Sequence, residues 1–581
     1  MVKRDLSGWS KDDLIKEVEA LRKQKTYGLV WEKDKTKEAF DYYINWDGQK
    51  TEEKFPGTEH KLPVLKEVSD KEIITDKEKD FNLLIEGDNY HSLAALNFTH
   101  NKSIDVIYID PPYNTGNKDF KYNDQYVDLE DAYRHSKWLS FMEKRIKLAR
   151  ELLKDGGLIV ISIDDNEQAQ LRILCDEIFG GNNFISNVCL VNNLAGRSDK
   201  KYVATAHEYL LFYRKTASAE INGLPMTPES LDEYNLEDQN GKYRLQGLRK
   251  RGSNSRRKDR PNLFYPIYID PVGKTVSVEK TKTHNIEVTP KLSNGNEGCW
   301  RWEKKAVTVR SIELVAKIVS GRNEWDVFQK DYLFKNGEEK KLKMKSFLID
   351  SDYSTDTATT VLRELFDGMK KFDSPKSHYL IKDLIRYCST KNGLVLDFFA
   401  GSGTTGHAVL DLNKEDGGSR RFILCTNNEN NICTEVCYPR INKVIKGYKS
   451  SGQEGVEGLG GNLKYFKTDF VDSAPTDKNK KKIVDKSTEM ICIKENAFIP
   501  VKGKREWKIF KNHNYYLGIV FDEDSIEDFV KEAKKLDKKI HVYVFSLDGK
   551  VPEKEFKELK NKAKLCPIPE VILHVYRRIF K

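Results

Sequence analysis

Two periodicities divide the chain. Over residues 8–24, Leu14, Val18 and Leu21 recur at helical spacing behind Ser10, with Asp12 and Asp13 in the first turn, and predict an amphipathic arm. A charged stretch follows to about Lys79. FNLLIEGDN (81–89), SIDVIYIDPPYN (103–114) and GLIVISIDD (157–165) are short apolar runs ending in polar or Pro-containing turns, as strands buried in a parallel sheet do. A helical stretch rich in Lys, Arg and Leu (137–154) precedes the third run, which is entered through Asp155-Gly156-Gly157. Strand, helix and strand thus alternate as in a doubly wound α/β sheet. The rhythm breaks at about Asn192 into short, polar, mixed segments and returns with GLVLDFFAGSGTTGHAVLDL (393–412) and RRFILCTNNEN (420–430). One α/β domain interrupted by a domain-sized insert is predicted. Beyond Phe470, the lysine-rich 475–486 reads as a linker, and 487–581 alternates apolar runs with Lys/Glu helical segments, as in a small α+β domain. The expected divisions are 1–79 (arm and charged segment), 80–191 and 371–470 (the two parts of the α/β domain), 192–370 (the insert) and 471–581 (the C-terminal domain).

Composition narrows the class. With 581 residues, 38% hydrophobic and 33% charged, the chain is a soluble protein of several domains. The charged start carries no signal peptide, and no run of about 18 apolar residues occurs, so a cytoplasmic protein without a membrane span is expected. Nine cysteines without a CxxC pair fit a reducing compartment, and no metal site is expected, since Cys433 and Cys437 lack a second ligand pair. The net charge of +9 is concentrated. Within 241–260, Lys242, Arg244, Arg249, Lys250, Arg251, Arg256, Arg257, Lys258 and Arg260 face Asp259 alone. Such a run is either a solvated loop or a phosphate-contacting stretch that also offers arginines to base edges.

Two motifs carry chemistry. GSGTTG (401–406) follows an apolar strand and opens a helix, so its glycines allow a backbone turn to approach a ligand. Glu429, 23 residues past Gly406, stands after the next strand, where an acid binds a ribose hydroxyl. Alone this pattern also fits a nicotinamide-dependent oxidoreductase, or a plain tight turn. Asp110-Pro111-Pro112-Tyr113 decides between them. It ends the strand IDVIYI, where ligands bind in open α/β sheets, and the prolines force a rigid, exposed turn. The exocyclic amine of adenine or cytosine is a poor nucleophile because its lone pair is delocalised. The Asp110 carboxylate and the Pro111 carbonyl, gripping both N–H groups, would draw it toward an attacking geometry, with Tyr113 stacking on a base taken out of the helix. No histidine base is needed, so His91, His207 and His378 are read as packing or polar contacts.

In these motifs the sequence resembles the amino-group DNA methyltransferases that use S-adenosylmethionine. DPPYNTG (110–116) is similar to their catalytic motif and DFFAGSGTTGHAV (397–409) to their cofactor motif, with Phe398 where the family usually has proline. The catalytic motif comes first with an insert between, as in the β class, whose insert is the target-recognition domain. GDN (87–89), HEYLLFYRK (207–215) and FDSPKSHYL (372–380) resemble further family segments. The resemblance implies that Phe399 borders the cofactor, that Gly401 and Gly403 admit its methionine portion within the motif of Asp397, Ser402 and Thr404, and that Lys376 serves that side. It further implies that Glu429 holds the ribose and Asp88 reaches the adenine end. TYGLVWE (26–32), LLIEGDN and the length resemble the modification subunit of a type III restriction-modification system. The implied reaction is methylation of adenine N6 in double-stranded DNA by base flipping, needing no metal. Cytosine N4 remains the alternative, because it uses the same acceptors. A non-catalytic DNA-recognition subunit would not need an intact Asp110-Pro-Pro-Tyr. A homodimer is expected, and cleavage or translocation would fall to a separate restriction subunit, since no GxxxxGK[ST] loop is present.

Overall fold

A computed structural model describes residues 61–568 apart from 117–118, 123–124, 197–201, 450–454, 473–476 and 546–552, together with Ser10 and Trp31. The predicted arm over 8–24 therefore lies outside the described residues except for Ser10.

The described chain forms two compact units, residues 1–222 with 345–581, and 223–344. The larger is built on a ten-stranded sheet. Its strands in chain order are β1 (Lys61–Glu67), β2 (Phe81–Glu86), β3 (Ile104–Ile109), β4 (Leu153–Ile163), β5 (Phe184–Val191), β6 (His207–Arg214), β7 (Phe347–Ile349), β8 (Leu394–Asp397), β9 (Arg421–Thr426) and β10 (Asn462–Asp472). Across the sheet they lie in the order β1-β10-β2-β9-β8-β3-β4-β6-β5-β7. The six strands from β10 to β4 are parallel, and β1 and β6 flank them antiparallel.

Its helices include α1 (Asn89–Thr99), α2 (Arg134–Leu152), α3 (Gln168–Phe179), α4 (His378–Cys388), α5 (Thr404–Asp416), α6 (Tyr438–Lys446) and α7 (Asp477–Glu495). Leu93 of α1, Trp138 and Ile146 of α2 and Leu171 of α3 share one core with Ile85, Ile107, Ile109 and Ile161 on one face of the sheet. Alternate positions, Leu84, Val106, Tyr108, Val395 and Leu424, are buried on the opposite face, where α4 and α5 pack on β3 and β9. Because both faces are covered, these strands read as continuous apolar runs. The helix after β3 and the helix after β8 lie on opposite faces although the strands are neighbours. That reversal opens a crevice at their carboxyl ends, the usual ligand position in such sheets.

The boundaries differ from expectation in three places. The insert is shorter than 192–370: β6 pairs with β4 and β7 pairs with β5, so both ends of the expected insert return to the main sheet. Within the charged segment before Lys79, β1 pairs along its whole length with β10; its buried run among the described side chains is Pro63, Val64 and Leu65, too short for a periodic signal. The expected linker at 475–486 falls almost wholly in α7. At its end Asn496 accepts from the Phe81 amide and donates to the Phe81 carbonyl, both at 2.9 Å, tying it to β2. The five-stranded C-terminal sheet, spanning 499–566, belongs to the same compact unit instead of forming a separate domain.

The smaller unit has an antiparallel four-stranded sheet (Leu314–Val319, Glu324–Tyr332, Gly241–Gly247, Leu236–Asp238) and a three-stranded one around Ile267–Ile269. Trp300, Leu248, Ile267, Ala316 and Val327 form its core.

Candidate active site

Asp110 is the first residue past β3. The two prolines end the strand, and the turn beyond them is tied down from α2 and α3. Trp138 Nε1 donates to the Pro112 carbonyl at 2.8 Å. Asn114 takes a left-handed conformation (φ 58°), and its amide donates to Glu167 Oε1 at 2.6 Å, which also bonds His135 Nδ1 at 2.7 Å. Burial raises the Glu167 pKa, against the opposing Asn114 and His135 contacts. Among the described residues, none donates to the Pro111 carbonyl.

Three further side chains meet this turn. Lys376 Nζ donates to the Tyr113 hydroxyl at 2.6 Å and to both oxygens of Glu208 at 2.8 and 2.7 Å, and stands 3.3 Å from Asp110 Oδ1. Tyr113 donates in turn to Glu208 Oε2 at 3.2 Å, and Asn192 Nδ2 reaches the same oxygen at 3.1 Å. Asp110 Oδ1 is buried yet has no well-formed hydrogen bond, with the Lys376 ammonium 3.3 Å away. Burial raises the Asp110 pKa, Lys376 opposes this, and Glu208 adds to it. For Lys376, burial pulls downward, but the carboxylates of Asp110 and Glu208 outweigh it and the net shift is upward. Burial raises the Tyr113 pKa too, reinforced by both carboxylates. The turn is a fixed carboxylate with one oxygen buried against the Lys376 ammonium, beside an aromatic ring.

The glycine turn stands next to it. The β8–β3 register pairs Leu396 with Ile107, so continuing it brings Phe399 level with Asp110. Asp397 folds the turn: it accepts from the Phe399 amide at 3.0 Å and from Thr405 Oγ1 at 2.5 Å, and burial pushes its pKa up to about 7. Gly401 (φ 49°) and Gly403 (φ 80°) are left-handed, and Gly403 caps α5. A Cβ on Gly403 would lie 3.1 Å from Cys437 Sγ, and one on Gly406 only 2.6 Å from Ile441 Cδ1. These two glycines therefore let the turn and helix seat against α6. The hydroxyls of Ser402 and Thr404 accept from the buried Arg440 at 3.0 and 2.8 Å. Asn89 Nδ2 donates to the Phe398 carbonyl at 3.1 Å, joining α1 to the turn. Asp88 caps α1 by accepting from the Tyr90 amide at 2.8 Å. Glu429 follows β9 half exposed, with Lys121 Nζ at 3.3 Å. Two left-handed glycines, an orphaned buried oxygen and half-exposed acids at the ends of β2 and β9 fit a nucleoside cofactor lying across the crevice.

The structure thus gathers Asp110–Tyr113 with the glycine turn, and it gives several of the expected cofactor residues contacts within the protein. Lys376, expected on the methionine side, has its ammonium on the catalytic turn. The side chains of Asp397, Ser402 and Thr404, expected at the cofactor, are engaged in building the turn. Sequence reasoning misses Glu208, Glu167 and Arg440. HEYLLFYRK stands out as a segment, but nothing in its apolar alternation marks Glu208 as the inward acid.

In the smaller unit the basic run divides. Arg244 pairs with Asp331 at 3.0 Å and with Glu233, Arg249 with Asp326 at 2.8 Å, and Arg257 with Glu297 at 2.9 Å, so three of the nine basic residues already have acidic partners. Arg251, Arg256, Lys258 and Arg260 are exposed and make no ion pair among the described residues. Arg251, Arg256 and Lys258, with Lys250, line a cleft of about 1030 Å³. Elsewhere, Glu495, His541 and Cys566 bring ligand atoms within 4.8 Å of one another, but the Glu495 carboxylate already bonds Tyr543, Tyr515 and His541.

A sequence profile described as DNA methylase matches residues 104–436. Type II methyltransferase M.KpnI of Klebsiella pneumoniae is 41% identical over 61% of this chain and 82% of its own length. The EcoPI Mod subunit, a type III restriction-modification enzyme of Escherichia phage P1, is 37% identical over 60% of this chain and 58% of its own length. The StyLTI Mod subunit of Salmonella typhimurium is 32% identical over 70% of this chain and 62% of its own length, so the chain spans less than two thirds of either Mod subunit. With the matched stretch running from β3 past the glycine turn to the threshold of α6, the chain belongs to the DNA methylase family.

Proposed function

We propose that this methylase modifies adenine N6 in double-stranded DNA, using S-adenosylmethionine, as the modification subunit of a type III restriction-modification system. The observation that carries the reading is the orphaned Asp110 Oδ1 beside a glycine turn at the carboxyl ends of neighbouring strands. S-adenosylmethionine supplies an electrophilic methyl group on a sulfonium. Phe399, Gly401 and Gly403 would hold its methionine side, with Asp88 and Glu429 at the adenosine. Asp110 and the Pro111 carbonyl accept the two N–H bonds of a flipped base, Tyr113 stacks on it, and the amine is held in line for attack. A carboxylate whose pKa is raised by burial is also suited to take the proton that the alkylated amine sheds. Exposed Arg251, Arg256, Lys258 and Arg260 contact DNA phosphates. The assembly is a homodimer in the cytoplasm, joined by a separate helicase and nuclease subunit.

The type III reading rests on the EcoPI, StyLTI and EcoP15I Mod subunits among the relatives. A solitary type II methyltransferase is the second reading, favoured by the 82% coverage of M.KpnI. Single-molecule sequencing of DNA from cells expressing the chain, with Asp110→Ala as control, tests the chemistry. N6-methyladenine at one recurrent site is expected, absent in the variant; N4-methylcytosine would reassign the base, and no modification would sink the reading. Co-purification with a helicase-nuclease chain separates type III from type II.

A further inference from the structure

Lys376 makes three contacts of unequal strength, and the inequality is informative. Its ammonium is gripped by both oxygens of Glu208 and touches the Tyr113 hydroxyl, but stops 3.3 Å from Asp110 Oδ1. A free ammonium beside a carboxylate would close to the 2.7–2.9 Å of an ordinary charge-assisted bond. Glu208 holds it back. It is itself buried and anchored by Asn192 at the end of the neighbouring strand β5, so the restraint is built into the sheet and not into a mobile loop. The consequence is that the Asp110 carboxylate is not locked into a close ion pair with the ammonium.

Resting on the methyltransferase reading above, we infer that Glu208 and Lys376 are positioning residues for the transfer: Lys376 keeps Asp110 charged and Tyr113 oriented, while Glu208 stops the ammonium from taking the place of the target amine. The pair lets a carboxylate in a half-dry crevice remain ionised without being neutralised by direct contact. Neither residue touches the reacting atoms. The remaining ionisable groups that sense the Asp110 charge are Tyr113, Tyr108, whose hydroxyl bonds Ser162, and Asp397 on β8. Asp110 must be a carboxylate to accept the amine, so the acid limb of the pH–rate profile reports its ionisation.

The two substitutions then move that limb in opposite directions. Lys376→Met removes the cation that favours the carboxylate and shifts the limb up by about one pH unit or more. Glu208→Gln removes a like charge and releases the ammonium onto Asp110, so the limb moves down while the apparent KM for DNA rises. Lys376→Arg keeps the charge and leaves the limb in place. Single-turnover transfer of tritiated methyl groups to unmodified plasmid DNA, from pH 5 to 9, measures this with the full-length chain. Calorimetric S-adenosylmethionine binding should be unchanged in all three variants. If Glu208→Gln does not fold, the Lys376→Met and Lys376→Arg pair decides. Limbs that coincide with wild type, or that move together, overturn the proposal. A wild-type chain that transfers no methyl group overturns the reading beneath it instead.

Discussion

The ammonium of Lys376 lies 2.6 Å from the hydroxyl of Tyr113, although 263 residues separate them. One comes from the turn before α4 and the other from the turn after β3, so the contact exists only when the interrupted sheet has closed around its insert. The same ammonium stands 4.9 Å from the centre of the Tyr113 ring. Hydroxyl and ring therefore make separable contributions. Tyr113→Phe keeps the ring and loses two hydrogen bonds to charged groups, with Lys376 and Glu208, each worth about 1.5–3 kcal/mol, so methyl transfer should slow by roughly tenfold or more. Tyr113→Ala also removes the stacking surface, about 1–3 kcal/mol for a base on an aromatic ring, and should be slower by a further factor of about ten. Single-turnover rates check the order, and equal rates for the two variants would rule out stacking on this ring.

The glycine turn offers a test of packing against ligand contact. The Gly403 Cβ position faces Cys437, so Gly403→Ala should disturb the seat of α6 as well as strain a left-handed residue, about 1–2 kcal/mol for the backbone alone. Adding Cys437→Ala relieves the clash but not the strain. The double variant should therefore be more stable than the sum of the single effects predicts, and should regain part of the lost cofactor affinity. Strict additivity in a denaturation cycle would mean that Gly403 is needed for close approach of the ligand only.

Asp397 gives a pH dependence whose sign can be worked out. Its carboxyl ionises at about 7 when folded, against 3.8 in the unfolded chain. Below pH 3.8 both states hold the proton and the contribution is neutral; between the two values only the folded state holds it, so stability falls as pH rises and is lowest above 7. The loss is on the order of 4 kcal/mol. Asp397→Asn cannot ionise and can still accept from the Phe399 amide, so its stability between pH 5 and 8 should be flatter than that of wild type. Urea midpoints at the two pH values measure this, and an unchanged slope would mean that another group titrates there.

How much of this is legible in the sequence depends on what each signal reports. The strands of the central sheet are buried on both faces, so Leu83-Leu84-Ile85 and Ile107-Tyr108-Ile109 announce themselves as apolar runs. The catalytic and glycine turns carry residues that few other structures need. Edge elements are not legible: β1 has one short buried run, β7 three residues, and α7 a lysine-rich first half that composition alone reads as a linker. Glu208 and Arg440 are invisible for a different reason. Each is a charge facing inward from an otherwise ordinary element, and only the fold reveals what it meets. The basic run stands out as a sum of charges, whereas the fold distributes its partners.

That distribution separates two kinds of arginine in the smaller unit. The Arg249 side chain is only 11% exposed; it bonds Asp326 and donates to the Lys291 carbonyl at 2.9 Å. Removing it leaves Asp326 nearly buried with Arg322 as its remaining cation, which should cost about 3 kcal/mol and loosen the unit. Arg251, Arg256, Lys258 and Arg260 have no such duty. Changing these four to Gln should leave the melting temperature almost unaltered while flattening the salt dependence of DNA binding, by up to roughly 0.9 in slope for each phosphate that is no longer neutralised. S-adenosylmethionine affinity should not change, because the glycine turn belongs to the other unit. A variant with altered site preference but an unchanged slope would place these residues on base edges. Unchanged affinity, slope and preference together would show the four to be solvated surface, and DNA contact would then have to be sought elsewhere between Gly223 and Met344.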